Sequence, residues 1–456
     1  MSQTAAKDSH RSAAWAVATK SRSTIAVASH FLRARWRWRH LQPAELARYQ
    51  DQRAQQIVAY TAAHSPFYRS HWAGHDLQDW RALPTVDKQL MMDNFSTFTT
   101  CGIMKEAAMQ VALQAERSRD FSPHLHGLTV GLSSGTSGHR GLFLASPQEQ
   151  AAWAGTILAR TLHHRNFRRL RVAFFLRSNN NLYEQVGKGP IQFRYFDLML
   201  PLAEAIRQLN ALQPHILIGP PSLLGFLADE IAHLHIQPER LISVAEVLEE
   251  QDQERLQSIF HAPVHQIYQC TEGLLAVSCV QGRLHIQEDI VALQLEPVSG
   301  GSSERVTPIV TDLWRRTQPI IRYRLNDILQ LDPTPCPCGS AFRVIHSIEG
   351  RCDDLCYFAA RSGPPRPFFP DTIRRMILLA SPQITDYQVI QTQNGQLHIY
   401  LTLLAGASFD TVRQAVQDSV AATLSQYACL PATLQIVEGL PTLPMSNKRR
   451  RVQKIT

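Results

Sequence analysis

Leu132-Ser-Ser-Gly-Thr-Ser-Gly-His-Arg-Gly141 follows the apolar run Leu128-Thr-Val130, and the reading of this stretch decides the fold. Glycines without a Cβ let consecutive amides turn inward and approach a polyphosphate, and serine and threonine hydroxyls donate further hydrogen bonds. Ser133, Ser134, Gly135, Thr136, Ser137 and Gly138 are therefore candidate phosphate contacts. The stretch lacks the spacing, and the Lys before Ser/Thr, of the P-loop nucleotide-binding motif. Alone, such a segment is more often just a turn, so its surroundings carry the weight.

Those surroundings alternate. Ala151–Leu162 has helical spacing, Arg171–Leu176 reads as a strand, Leu202–Leu212 as a helix, and His215–Ile218 as a short apolar run ending in Gly219-Pro220-Pro221. The order continues through Leu241–Val247 and His265–Tyr268, which predicts an α/β domain on a largely parallel sheet. Before it, Ala44–Tyr68 reads as helix, punctuated by Pro66 and Pro84. Ser299-Gly-Gly-Ser-Ser303 reads as a turn before a strand over Thr307–Thr311. Beyond residue 350 the pattern becomes α+β. Asp371–Leu379 and Phe409–Tyr427 are expected helices, Asp386–Thr392 and Leu397–Leu404 strands joined at Asn394-Gly395, and Ala432–Val437 a further strand. The expected layout is a basic segment over 1–40, a large α/β domain over 41–350 and a small α+β domain over 351–456.

At 456 residues the chain exceeds one ordinary core. Hydrophobic residues at 44% against charged residues at 18% describe a globular protein, and no apolar run approaches the roughly 20 residues of a membrane span. The net charge of +8 sits mostly at the ends. Lys448, Arg449, Arg450, Arg451 and Lys454 close the chain, and arginines crowd residues 33–39. Such ends suit a solvated surface or an anionic partner. The Ser/Ala/Arg-rich start resembles a transit peptide, whereas Phe31-Leu-Arg-Ala-Arg-Trp-Arg-Trp38 suits a docked or membrane-skimming helix. No zinc-finger, RNA-recognition or helix-turn-helix signature appears, so no nucleic-acid partner is expected. Eight cysteines without a secretory signal point to a reducing, cytoplasmic setting. Cys279, His285, Cys336 and Cys338 have the composition of a closed tetrahedral zinc site; buried thiols without metal are the alternative.

Five segments in order resemble the motifs of the acyl-adenylate-forming superfamily, and most of all its phenylacetate-CoA ligase-like branch. They are the Ser/Gly stretch above, Tyr268-Gln-Cys-Thr-Glu272, Ile321-Arg-Tyr-Arg-Leu-Asn-Asp327, Gly350-Arg-Cys-Asp-Asp354 and Pro444-Met-Ser-Asn-Lys448. The resemblance implies an enzyme that uses ATP and Mg to convert a small carboxylic acid to an acyl adenylate. The acyl group then passes to a thiol, coenzyme A or the phosphopantetheine of an acyl-carrier protein. A catalytically silent nucleotide-binding homologue is a further reading.

By the same resemblance Thr271 holds the α-phosphate, Glu272 holds Mg, and Tyr268 lies against adenine, with Ala245 and Glu246 beside the nucleotide. Asp327 and Arg351 take the ribose, and Lys448 stabilises the charge that builds during adenylation. The C-terminal domain is expected to be a mobile lid turning at Asp353, and some members of the branch carry the three-cysteine, one-histidine site. Asn179–Tyr183 and Phe193–Phe196 are expected to line the acid pocket and to favour an aryl acid. Three departures stand out: His139 where many relatives have lysine, which leaves phosphate neutralisation to Arg140 or to protonation with pH, Gln269 after Tyr268 and Asn326 before Asp327.

Overall fold

Short runs rich in valine and isoleucine become the strands of a parallel sheet, as expected where helices cover both faces. The computed structural model describes residues 24–133, 140–162, 169–176, 191–298, 304–392, 396–441 and 450–455. The chain divides into two compact units. The first comprises Met1–Gln294, Ile309–Arg324 and Asp332–Ile345, and the second Leu295–Pro308, Leu325–Leu331 and His346–Thr456.

In the first unit the strands Ile191–Asp197, Leu170–Leu176, Ile216–Gly219, Arg240–Val244 and Val264–Cys270 lie side by side in that order, all parallel. Val172, Ile191, Ile216 and Ile242 form one buried cluster of this sheet. The helices Leu202–Leu212, Pro221–Asp229 and Glu250–Phe260 alternate with the strands along the chain. After Glu272 the sheet changes character. Gly273–Ser278 returns antiparallel to Val264–Cys270, Leu284–Ile286 pairs antiparallel to it, and Leu284 and His285 face Ile345 and Val344. A smaller antiparallel sheet, His124–Leu125, Leu128–Leu132 and Leu142–Ala145, flanks the Ser/Gly stretch.

Caps set the helix ends. Pro147–Thr161 starts earlier than its apolar spacing suggests, because Ser146 and Glu149 form a reciprocal capping box with Pro147 at the first turn. The helix expected over Ala44–Tyr68 is two, Pro43–His64 and Pro66–His71. Proline disfavours helical backbone at Ser65, whose hydroxyl instead caps the second helix.

Residues 24–40 are helical and packed into the first unit. A Cβ on Gly155 would stand 2.5 Å from the Val27 carbonyl oxygen and 2.6 Å from His30 Cβ, so glycine is what lets the two helices touch. Arg37, 7% exposed, donates to Asp289 at 2.8 Å, and Arg160 donates to the other carboxylate oxygen at 2.8 Å. Part of the N-terminal charge therefore neutralises a buried acid.

In the second unit Arg305 and Val306 pair antiparallel with Gln330 and Leu329, and Cys356–Phe358 pairs with Arg366–Phe368. A four-stranded sheet follows in the order Leu434–Glu438, Leu397–Leu403, Ile384–Gln391, Val452–Lys454. Alternate residues Tyr387, Val389, Leu397, Ile399 and Leu401 meet Ile373 and Ile377 of one helix and Val412, Val416, Val420 and Leu424 of the other. Periods of two and four residues thus face each other across one core. The Asn394-Gly395 turn, Asn179–Tyr183 and Ser299–Ser303 lie outside the described residues.

Candidate active site

The Ser/Gly stretch leaves one strand and re-enters another through a closed neck. The Ser133 amide donates to the Gly141 carbonyl, and the Gly141 amide to the Ser133 hydroxyl, both at 2.7 Å. Ser134, Gly135, Thr136, Ser137, Gly138 and His139 lie outside the described residues. Arg140 makes a two-pronged pair with Glu116, one bond at 2.6 Å, so the cation expected to replace the missing loop lysine is already engaged. A different cation stands beside the neck. A Cβ on Gly141 would meet Lys88 Cε at 3.2 Å. Lys88 opens the helix Lys88–Asp93, whose N-terminus Asp87 caps by accepting from the Leu90 amide at 2.8 Å. Sequence reasoning passed over Lys88, although an Asp-Lys pair after Pro84 and Val86 marks a capped helix start.

Ala245, Glu246 and Tyr268 lie at or just past the carboxyl ends of parallel strands, where open α/β sheets bind ligands. Ala245, just past Arg240–Val244, has φ +69°, a left-handed conformation costly for a residue with a Cβ. It turns the chain so that the Glu246 carboxylate accepts from the Ser222 amide at 3.2 Å. Tyr268 is half-buried and adjoins a bulge between Tyr268 and Gln269, a device that re-aims a side chain.

Beyond the bulge, Thr271 Oγ1 donates to Glu272 at 2.9 Å. Glu272 is 8% exposed, and no guanidinium, ammonium or imidazole pairs with it among the described residues. The Arg315 guanidinium donates instead to the Thr271 carbonyl at 2.5 Å and to Gln318 at 2.9 Å. Burial, and next the Glu272 charge, hold the Tyr323 phenol far above its ordinary range. Burial likewise raises Asp312, which accepts from the Trp314 and Arg315 amides at 2.8 and 2.9 Å and so anchors the loop carrying Arg315.

The second unit holds the expected ribose pair and hinge. Arg351 Nε lies 3.4 Å from Asp327 Oδ1. Asn326 donates to Asp353 at 2.6 Å and accepts the Cys352 amide at 2.7 Å. Arg450 binds Asp354, Arg451 binds Asp386 at 3.1 Å, and Lys454 lies 4.8 Å over the Tyr357 ring. Lys448 and Arg449 lie outside the described residues.

No family model and no curated protein matches the chain. Solved structures do match. A 2-hydroxyisobutyryl-CoA ligase in its postadenylation state aligns with a TM-score of 0.69 at 17% identity, over 92% of this chain and 91% of that one. The chain has the fold of the acyl-adenylate-forming ligases. The same ligase in an open conformation gives 0.59, covering 92% and 93%, and in its thioesterification state 0.55, covering 92% and 91%, both at 17% identity.

On this adenylate-forming fold the departures from the motifs acquire partners. The Gln269 carbonyl accepts from the Trp153 indole at 3.2 Å, and Asn326 holds Asp353 as above. The aromatic stretch expected at the acid pocket is committed to packing. Phe196 stacks on Phe175 at 4.6 Å, Phe193 meets Phe174 at 5.4 Å, and the Tyr195 hydroxyl donates to the Leu176 carbonyl at 2.8 Å.

The adenylate-forming fold also gathers Cys279, His285, Cys336 and Cys338, whose donor atoms all lie within 4.8 Å of one another. Cys279 and Cys336 sulfurs are 3.7 Å apart, and Cys338 Sγ is 3.5 Å from His285 Nε2. Zinc bonds of about 2.3 Å to sulfur and about 2.0 Å to nitrogen give tetrahedral edges of roughly 3.8 and 3.5 Å, so the donor set fits that ion. His285 Nδ1 donates to the Phe342 carbonyl at 2.8 Å, which turns Nε2 toward the cysteines. Burial pushes His285 down to about 4, leaving a neutral ring at physiological pH. Burial also raises Cys279 and pushes Cys338 up to about 12, a cost a divalent cation offsets by holding thiolates. Trp38, from the N-terminal helix, covers the cluster edge-on, 5.0 Å from the His285 ring and 5.1 Å from Phe342.

Proposed function

We propose that this protein is an AMP-forming acid–thiol ligase of the phenylacetate-CoA ligase-like branch. A substrate carboxylate oxygen attacks the α-phosphorus of ATP, the α–β phosphoanhydride bond breaks, and pyrophosphate leaves. The thiol of coenzyme A then attacks the acyl carbon, AMP departs, and the thiol proton passes to solvent.

The observation that carries this reading is Glu272, a buried carboxylate that accepts from the Thr271 hydroxyl, lies beside the buried Tyr323 phenol and pairs with no cation among the described residues. A carboxylate left so in the interior is costly. As a ligand to a hard cation it is at home. Magnesium, when bound, would neutralise polyphosphate charge. The chain's own residues do the positioning: Arg315 fixes the Thr271 carbonyl, the bulge orients Tyr268 toward adenine, and Lys88 stands at the neck of the phosphate loop. Asp327 and Arg351 serve the ribose. By the motif resemblance Lys448 takes the transition-state charge, and the domain bearing it the part of a mobile lid; Arg450, Arg451 and Lys454 are engaged with Asp354, Asp386 and Tyr357.

The acid pocket's aryl preference rests on the branch resemblance, because Phe193–Phe196 pack within the sheet. A structural zinc at Cys279, His285, Cys336 and Cys338 completes the proposal. Acid-dependent exchange of labelled pyrophosphate into ATP, across aryl and aliphatic acids, is the test. Exchange is expected with an aryl acid, followed by thioester formation with coenzyme A, and Lys448→Ala is expected to abolish most of it. Absence of exchange with every acid, or full exchange in Lys448→Ala, removes the assignment.

A further inference from the structure

The helix over residues 24–40 has two faces with different chemistry. Its inner face is anchored through Gly155, Arg37 and Trp38 as described. Its outer face exposes Ile25 by 66%, Leu32 by 65% and Trp36 by 56%. At about 3.6 residues per turn these three side chains fall within roughly 40° of one line along the helix. Arg35 and Arg39 flank that line on one side, and Arg33 and His40 on the other. His40 stacks on the Trp36 ring at 5.4 Å, and Arg35 lies 5.5 Å over Phe31.

An apolar stripe bordered by guanidinium groups on flexible stems is the arrangement of a helix lying in a membrane interface. The stripe enters the acyl boundary and the cations reach the headgroups. We infer that the outer face of this helix docks the protein on an anionic lipid surface.

Charge favours lipid over the other occupants. Within residues 1–40 the basic residues other than the buried, Asp289-paired Arg37 are Lys7, Arg11, Lys20, Arg22, Arg33, Arg35 and Arg39, against Asp8 alone. A second copy presenting the same stripe would bring the flanking arginines of both helices face to face across a two-fold axis, a repulsion that an anionic headgroup layer turns into attraction. No described helix is long and apolar enough to cross a membrane, so the contact is peripheral. Because Arg37 and Gly155 tie the inner face down, binding needs no detachment of the helix.

The test is co-sedimentation of the full chain with vesicles. Binding is expected to phosphatidylcholine vesicles containing about 30 mol % phosphatidylserine, and not to phosphatidylcholine alone. Leu32→Gln with Trp36→Gln, both exposed positions, should weaken binding about tenfold while thermal unfolding stays unchanged. Arg33→Gln with Arg39→Gln, or about 0.5 M salt, should weaken it comparably. Equal binding to both vesicle types, no binding to either, or a double apolar variant that sediments like the parent overturns the inference. So does a dimer in solution that the Leu32→Gln, Trp36→Gln pair converts to monomer, which would assign the stripe to a second copy.

Discussion

Glu272→Gln exchanges one oxygen for a nitrogen in a side chain that is 8% exposed and hydrogen-bonded by Thr271 at 2.9 Å. The amide keeps the shape and can still accept from the Thr271 hydroxyl, so what changes is charge. Were Glu272 half of a structural ion pair, losing that charge would strand a buried cation and cost about 3–5 kcal/mol. No such cation pairs with it among the described residues, and the buried Tyr323 phenol, held far above its ordinary range, is neutral whether or not Glu272 is charged. Stability without nucleotide should therefore stay within about 1 kcal/mol of the parent or rise. Catalysis should move the other way. Loss of a charged group that organises phosphoryl transfer typically costs about 10²–10³ in rate, equivalent to roughly 2.7–4 kcal/mol. Urea unfolding and pyrophosphate exchange on the same preparations separate the two. A variant destabilised by about 3 kcal/mol, or one that exchanges at the parent rate, would refute the assignment of Glu272.

Asp289→Asn removes the charge shared by Arg37 and Arg160, and a loss of about 3–5 kcal/mol in urea unfolding is expected; a loss below about 1 kcal/mol would mean the triad is not a keystone of the first unit. Protein purified without chelators should hold about one zinc per chain, and Cys338→Ser should lower the retained metal and admit protease to the arginines of residues 33–39. Metal-free protein in which Cys279, Cys336 and Cys338 all react freely with a thiol reagent would count against the site. His265 is pushed down to about 4, first by burial and then by Arg240. The unfolded chain thus binds more protons between about pH 4 and 6.5, and stability falls as pH drops through that window, by up to roughly 3 kcal/mol from this residue. His265→Gln should flatten the slope relative to the parent; an unchanged slope locates the titration elsewhere.

The alternation of strands and helices was legible because strands buried on both faces must be runs of valine and isoleucine, as at Val172, Ile216 and Ile242. Helix ends were less so. The capping box at Ser146 depends on a reciprocal pair of hydrogen bonds and the break at Ser65 on the proline that follows it, neither of them set by apolar periodicity. The antiparallel half of the large sheet escaped notice because the reversal at Thr271 and Glu272 carries no hairpin signature before Gly273. Cys279, His285, Cys336 and Cys338 were legible as a ligand set by composition, and strand pairing of His285 with Val344 brings the two halves together. Pairings across long stretches of chain leave no local trace. Arg37 with Asp289 and Lys88 beside Gly141 are of this kind. Two-residue alternation in Phe193–Phe196 marks a half-buried edge strand as readily as a pocket wall, and packing on Phe174 and Phe175 takes up those rings.

One helix gathers these long-range contacts. Along Pro147–Thr161, Glu149 accepts from the Arg316 and Thr317 amides at 2.7 and 2.8 Å, fixing the loop that carries Arg315 toward Thr271. One turn later the Trp153 indole holds Gln269 at 3.2 Å, beside the bulge that aims Tyr268. Gly155 then admits the N-terminal helix, and at the last turn Arg160 binds Asp289 at 2.8 Å and the Ala34 carbonyl at 2.7 Å. Positions 149, 153 and 160 repeat at intervals of four and seven, so a single helical face reads out the candidate site at one end and the N-terminal helix at the other. Glu149, Trp153 and Arg160 thus tie the loop that carries Arg315, the Gln269 side chain and the N-terminal helix to one body within the first unit.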